Sequence, residues 1–177
     1  MRGAGPRTGP PTVPEPVVLV GLPGVGKTTL ALALAAAWSS AGRPAFVLHT
    51  DLLKVTARHL GLPWRGPTWA DPARLEAATP LLDAHADKAA RDGYALVVEG
   101  TLAVSWRRGR RVWLELEDDA RRARCRGKHP AAAAATATLS DAPLRALRDA
   151  AAPCALTLDA AAPVATLLQQ LRAHLQA

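Results

Sequence analysis

The stretch VVLVGLPGVGKTTLALALAAAW, residues 17–38, decides the fold. It begins with the short apolar run Val17–Val20, which is typical of a strand buried on both faces. The segment after Thr28 is rich in leucine and alanine and has the composition of a helix. Three glycines and a lysine therefore lie at a tight turn between a buried strand and a helix.

These glycines match the spacing G-x-x-x-x-G-K-[ST], which we call the phosphate loop (residues 21–28). Glycines let successive N–H groups point to one centre at the positive end of the following helix, where an anion binds. We expect Lys27 to reach the β- and γ-phosphates of a nucleoside triphosphate and the Thr28 hydroxyl to bind Mg²⁺. The predicted nucleotide-binding residues are Gly21, Leu22, Pro23, Gly24, Val25, Gly26, Lys27, Thr28 and Thr29.

The 177-residue chain is long enough for one α/β domain with a substantial core. Residues 1–16 hold five prolines and three glycines, so we expect a disordered tail followed by a domain over 17–177. The tail lacks the apolar centre of a signal peptide, and no apolar run is long enough for a membrane span. With only Cys125 and Cys154, a cytoplasmic protein is expected rather than a disulfide-linked one.

The net charge of +7 is concentrated in one segment. Residues 107–128 contain nine Arg or Lys against four Asp or Glu, an excess of +5. Such an excess indicates an anionic partner or a solvated face. No aromatic interleaving or nucleic-acid motif accompanies it, which argues against nucleic-acid binding.

Strands and helices alternate along the rest of the chain. Further strands are predicted at AFVLH (45–49), YALVVEG (94–100), RRVWLEL (110–116) and CALTLDA (154–160). Helices are predicted at about 51–59, 71–93, 117–129 and 163–175. Pro80 is expected to kink or split the second of these. The pattern predicts a five-stranded parallel sheet with helices on both faces, a three-layer α/β/α fold with right-handed crossovers.

The motifs that the chain lacks, and those that it has, limit the classes of nucleotide-binding protein to which it can belong. The chain has no asparagine, which excludes the guanine-reading N-K-x-D motif and a protein-kinase catalytic loop. The chain resembles the small P-loop kinases over residues 17–175: adenylylsulfate, gluconate and shikimate kinases and chloramphenicol phosphotransferase. The segments that carry this resemblance are GLPGVGKTT, FVLHTDLL, LVVEG, VWLELEDDARRARCRGKH and LTLDAAAPVATLLQQL.

The resemblance implies a P-loop NTPase fold and transfer of the γ-phosphoryl group of ATP, with Mg²⁺, to a hydroxyl of a small molecule. Asp51, which follows the second strand, would be the general base, with a helix N-cap as its structural alternative. Glu99, which ends the third strand, would contact magnesium through water or contact the acceptor; its alternative is a solvated acid. His49 and Thr50 are candidates for the acceptor pocket, and a packed, hydrogen-bonded histidine is the favoured interpretation of His49.

The resemblance also implies a basic helical lid at about 117–139. Arg122 and Arg126 are four residues apart on one helix face and would stabilise the transferred phosphoryl group, whereas Arg124 points elsewhere. For any single arginine, a solvated helix C-terminus is an equal alternative. The run HPAAAAATAT (129–138) would continue the lid as a flexible segment.

The loop LPWRGPTW (62–69) lies where such kinases commonly bind the acceptor. Trp64 and Trp69 would stack on the acceptor and Arg65 would pair with its acidic group. Alternatively, the tryptophans plug the core beneath the loop.

Adenylylsulfate kinase is the most similar in the order of its motifs, but that family stacks its substrate between phenylalanines. The single phenylalanine here, Phe46, lies inside a predicted strand. An O-phosphotransferase for an antibiotic or other natural product therefore stays open. A nucleotide-binding regulatory ATPase that acts through its basic surface is an alternative from another class. A homodimer is one option for the oligomeric state.

Overall fold

The computed structural model describes residues 15–59, 72–127, 141–151 and 153–176. Five parallel strands form one sheet in the order β2-β3-β1-β4-β5. The strands are β1 (Val17–Gly21), β2 (Ala45–His49), β3 (Ala95–Glu99), β4 (Arg110–Glu115) and β5 (Leu156–Asp159). All five predicted strands are confirmed, with their ends shifted by up to two residues.

α-Helices connect consecutive strands except β3 and β4, which are joined by residues 100–109. Each crossover carries the chain back to the end of the sheet where the next parallel strand begins. A short 3₁₀ turn, Thr101–Ala103, follows β3. The helices are α1 (Lys27–Ser40), α2 (Thr50–His59), α3 (Pro72–Asp92), α4 (Asp118–Arg126), α5 (Asp141–Ala150) and α6 (Val164–Gln176).

The core lies around β1 and β3, in which every residue is buried. Both strands are continuous apolar runs because helices cover both faces of the sheet. Helix α1 packs against β2, β3 and α6, while α3 packs against β3 and the 3₁₀ turn. The structure is the predicted three-layer P-loop NTPase fold.

Two helices differ from the sequence-based expectation. Helix α3 runs through Pro80 as one helix, so a split there is wrong, whereas a kink at Pro80 stays a prediction. Helix α5 was not predicted, because it follows an alanine-rich run that has no clear apolar periodicity. Within the described ranges, no helix has the length and apolar content that a membrane span requires.

Several predictions fall on residues outside the described ranges. They concern most of the N-terminal tail (1–14), the loop with Trp64, Arg65 and Trp69, and the lid beyond Gly127.

Candidate active site

The ends of three neighbouring strands meet at one edge of the sheet, which we call the carboxyl edge. Strand β1 ends at Gly21, β2 at His49 and β3 at Glu99. His49 and Glu99 are direct partners in the register of β2 and β3. Because β3 lies between the other two, Glu99 is central in this group.

The phosphate loop connects β1 to α1 through glycines with a left-handed backbone. Gly26 is the N-cap of α1 with φ +99°, a conformation that L side chains rarely adopt. Gly24 has φ +92°, and a Cβ there would lie 2.4 Å from the Cys125 sulfur. The loop therefore needs glycine both for its backbone conformation and for its close approach to α4.

Lys27 is 9% exposed and closes over the loop that precedes it. Its Nζ donates hydrogen bonds of 3.0 Å to the carbonyl oxygens of Gly21 and Leu22. These hydrogen bonds hold the ammonium group at the start of α1, where the positive end of the helix also favours anions. The next predicted residue, Thr29, is exposed in the first turn of α1.

Thr28, Glu99 and His49 form a connected polar group at the carboxyl edge. Thr28 Oγ1 donates to Glu99 Oε1 at 3.1 Å, and His49 Nδ1 lies 2.8 Å from the same oxygen. Glu99 is 6% exposed, so these contacts hold its carboxylate in place. A hydroxyl and a carboxylate next to a phosphate loop are the hard oxygen ligands that Mg²⁺ prefers, so the two residues fit this ion.

Asp51 lies in the first turn of α2, two residues after the end of β2. Its side chain is 72% exposed, and Lys54 Nζ contacts its Oδ1 at 2.6 Å. Lys54 also donates to Thr101 Oγ1 at 2.8 Å, which ties α2 to the turn after β3. Between His49 and Asp51, Thr50 is buried, and its Oγ1 has no hydrogen-bond partner in the described part of the chain.

One face of α4 packs on the phosphate loop. Arg121 is 1% exposed and donates to the Pro23 carbonyl at 3.5 Å, and Cys125 Sγ lies 3.7 Å from the same oxygen. Arg124 Nη1 donates to the Val25 carbonyl at 3.5 Å, and its Nη2 donates to Ala160 at 3.0 Å. Arg124 thereby links the loop to the segment after β5.

Arg124, which was predicted to point away from the face of Arg122 and Arg126, contacts the phosphate loop. Arg122 and Arg126 are exposed on other parts of α4. The spacing of Arg121, Arg124 and Cys125, at i, i+3 and i+4, was the signal for a common face. Their contact with the loop could not be predicted, because it depends on how α4 is rotated on the sheet.

Comparison with known proteins agrees with this geometry. The sequence profile of a family described as an AAA domain matches residues 17–174. The chain belongs to this AAA domain family. The curated proteins gave no match to the sequence.

Solved structures with the same fold as this AAA domain include small-molecule kinases. A gluconokinase from Sinorhizobium meliloti 1021 is 18% identical, with 93% of each chain covered and a TM-score of 0.55. The shikimate kinase from Aquifex aeolicus vf5 is 14% identical, with 91% of this chain and 96% of that chain covered and a TM-score of 0.57. A shikimate kinase from Bacteroides thetaiotaomicron is 17% identical, with 92% and 98% covered and a TM-score of 0.58.

Proposed function

We propose that this AAA domain is a kinase that transfers the γ-phosphoryl group of ATP, with Mg²⁺, to a hydroxyl group of a small molecule. The observation that carries the proposal is the 3.1 Å contact between Thr28 and Glu99. It joins the phosphate loop to the end of β3, and Asp51 follows the neighbouring strand at the same edge. A nucleotide-binding group and a candidate base thus share one edge of the sheet.

ATP would bind with its phosphates in the phosphate loop. The main-chain N–H groups between Gly21 and Thr28 would bind the phosphate oxygens, and Lys27 would exchange its two carbonyl partners for the β- and γ-phosphates. Leu22 and Val25, both almost fully buried, anchor the loop in the core. This anchoring supports a loop that is preorganised for binding.

Thr28 and Glu99 would hold Mg²⁺, Glu99 through water, and His49 would keep the Glu99 carboxylate oriented. When bound, the ion neutralises charge on the β- and γ-phosphates. Glu99 is nearly buried, and its contacts with Thr28 and His49 support this positioning.

Asp51 would accept the proton of the acceptor hydroxyl. The hydroxyl oxygen then forms a bond to the γ-phosphorus, and the bond from that phosphorus to its bridging oxygen breaks, so that ADP leaves with the electron pair. The high exposure of Asp51 supports access by an acceptor, and the contact of Lys54 with Oδ1 holds its carboxylate in position. Arg122 and Arg126 would stabilise the charge on the transferred group.

The acceptor is proposed as a class, a small hydroxylated metabolite. The similar structures named above include a gluconokinase and two shikimate kinases, and the motif order of this chain favours adenylylsulfate. The protein should be incubated with ATP, Mg²⁺ and gluconate, shikimate, adenylylsulfate, nucleosides, aminoglycosides or chloramphenicol. A mass gain of one phosphate on one compound supports the proposal. ATP hydrolysis with every compound left unmodified contradicts it and favours a regulatory ATPase.

The variant Asp51→Asn tests the proposed base. We expect kcat to fall by roughly 10²- to 10⁴-fold, because proton transfer is lost, while the Kd for ATP stays the same. The matched control is Asp92→Asn, which also changes an exposed aspartate paired with a lysine, Lys88, but far along α3. Equal kcat values for the two variants would show that Asp51 is not the base.

A further inference from the structure

A second group of arginines lies at the opposite edge of the sheet, where β4 and β5 begin; we call this the amino edge. A cavity of about 500 Å³ opens there, which we call the arginine cavity. Its lining includes Arg107, Arg110, Arg111, Ser105 and Ala155. This volume is within the range of small-molecule sites.

The charge of the arginine cavity is not balanced by acids in its lining. Arg107 is exposed and has no hydrogen-bond or ion-pair partner in the described ranges. The nearby acids Asp83 and Asp87 are bound by Arg108, which lies outside the cavity lining. Glu15 lines the two flanking cavities but is not among the lining residues of this one.

Two of the arginines are held in place by the main chain. The two terminal nitrogens of Arg111 donate to the carbonyls of Val104 and Trp106, while its buried Nε has no partner among the described residues. Arg110 Nη1 donates to the carbonyl of His174 at 3.0 Å. A guanidinium group fixed in this way loses little conformational entropy on binding an anion.

From these observations we propose that the arginine cavity binds a small phosphate-bearing anion. Guanidinium groups match the geometry of phosphate oxygens, and three of them with no acid in the lining favour a ligand with more than one negative charge. The apolar residues Pro153 and Ala155 complete the lining and leave room for an organic group. The proposal is independent of the reaction at the carboxyl edge.

The test is an NMR titration of the ¹⁵N-labelled full chain with pyrophosphate and, separately, with fructose 1,6-bisphosphate. Amide shifts of residues 105–111 report on the arginine cavity, and those of residues 21–28 report on the phosphate loop, so each site is followed separately. Tighter binding of the sugar bisphosphate at residues 105–111 would identify an organic phosphate as the ligand type, and tighter binding of pyrophosphate an inorganic one.

The decisive variant is Arg107→Glu, with Arg91→Glu as the matched control. Arg107 makes no contact that the fold needs, and Arg91 is an exposed arginine at the end of α3. We expect Arg107→Glu to weaken binding at residues 105–111 about tenfold or more and to leave the response of the phosphate loop unchanged.

Three outcomes would overturn the proposal. The first is that the amide shifts of residues 105–111 do not change with either phosphate compound. The second is that the Arg107→Glu and Arg91→Glu variants bind these compounds equally well. The third is that a short RNA changes these amide shifts while both phosphate compounds leave them unchanged. The last outcome would identify the amino edge as a nucleic-acid surface. None of them depends on kinase activity, so failure here and failure of the proposed kinase function are distinguishable.

Discussion

Cationic side chains at the two edges of the sheet differ in how they are paired. At the carboxyl edge, Lys27, Lys54 and Arg124 each donate to oxygens of the protein. At the amino edge, Arg108, Arg110 and Arg111 also donate to oxygens of the protein, but the exposed Arg107 has no hydrogen-bond or ion-pair partner among the described residues. Paired charges keep a site in shape until a ligand exchanges with their partners, whereas unpaired charges are open to an anion from solution.

The two edges also divide the basic segment that the sequence presents as one. Residues 107–111 begin β4 or precede it, and the arginines of α4 follow its end. A strand of six residues separates its ends by roughly 17 Å. The excess positive charge of residues 107–128 is therefore divided between two surfaces, one at the amino edge and one at the carboxyl edge.

The largest expected effect comes from Lys27→Ala, which should abolish most of the activity at the carboxyl edge and leave anion binding at the amino edge unchanged. We expect kcat/KM for ATP-dependent turnover to fall on the order of 10²- to 10³-fold. The variant removes the positive charge that would stabilise the phosphoryl group during its transfer. Steady-state kinetics measure this, with Lys88→Ala as the control for an exposed lysine. Undiminished turnover would remove the phosphate loop from the mechanism, and a changed phosphate response at residues 105–111 would show that the two edges are coupled.

A smaller effect is expected from Gly24→Ala, which tests the packing between the phosphate loop and α4. The new Cβ would lie 2.4 Å from the Cys125 sulfur and 3.1 Å from the Arg121 carbonyl oxygen, so we expect a loss of about 2–3 kcal/mol of unfolding free energy. The control is Gly42→Ala, where φ is +76° but nothing lies within 4 Å, and about 1 kcal/mol is expected from the backbone alone.

Urea unfolding of both glycine variants separates the two causes. Adding Cys125→Ala to Gly24→Ala should restore part of the loss, because the closest atom is removed. Equal destabilisation at Gly24 and Gly42 would mean that the loop does not depend on its contact with α4.

The smallest effect is expected at the amino edge from Arg108→Ala. Arg108 donates to Asp87 at 2.9 Å and to Asp83 at 3.3 Å, and the bond to Asp87 raises the pKa of its guanidinium group. The pairs are exposed, so we expect a loss of about 0.2–1 kcal/mol that disappears in 1 M salt. A larger loss, or one that salt leaves unchanged in thermal unfolding, would show that these ion pairs stabilise the fold more than exposed pairs do.

The sequence of strands and helices along the chain was predictable wherever local sequence determines local structure. Residues 17–38 predict β1, the phosphate loop and α1, because buried strands, glycine turns and helices differ sharply in composition. Asp51 and Glu99 were found because the ends of parallel strands share one edge. Their catalytic and metal-binding roles stay predictions.

What sequence could not supply is the rotation and distant packing of elements. Arg122 and Arg124 are equally basic in sequence, yet the rotation of α4 brings only Arg124 onto the Val25 carbonyl. The arginine cavity joins residues 105–111 to the start of β5 more than 40 positions later, a pairing that no local pattern encodes. The hydrogen bond from Ala155 to the Arg111 carbonyl sets this pairing.

Cys125 gives the molecule a natural reporter of its own opening. Its sulfur is buried between α4 and the phosphate loop, so an alkylating reagent can reach it only while the two separate. The rate of thiol modification thus measures how often α4 and the phosphate loop move apart. If the proposed function holds, a nucleotide bound in the phosphate loop would protect this thiol, whichever acceptor is used.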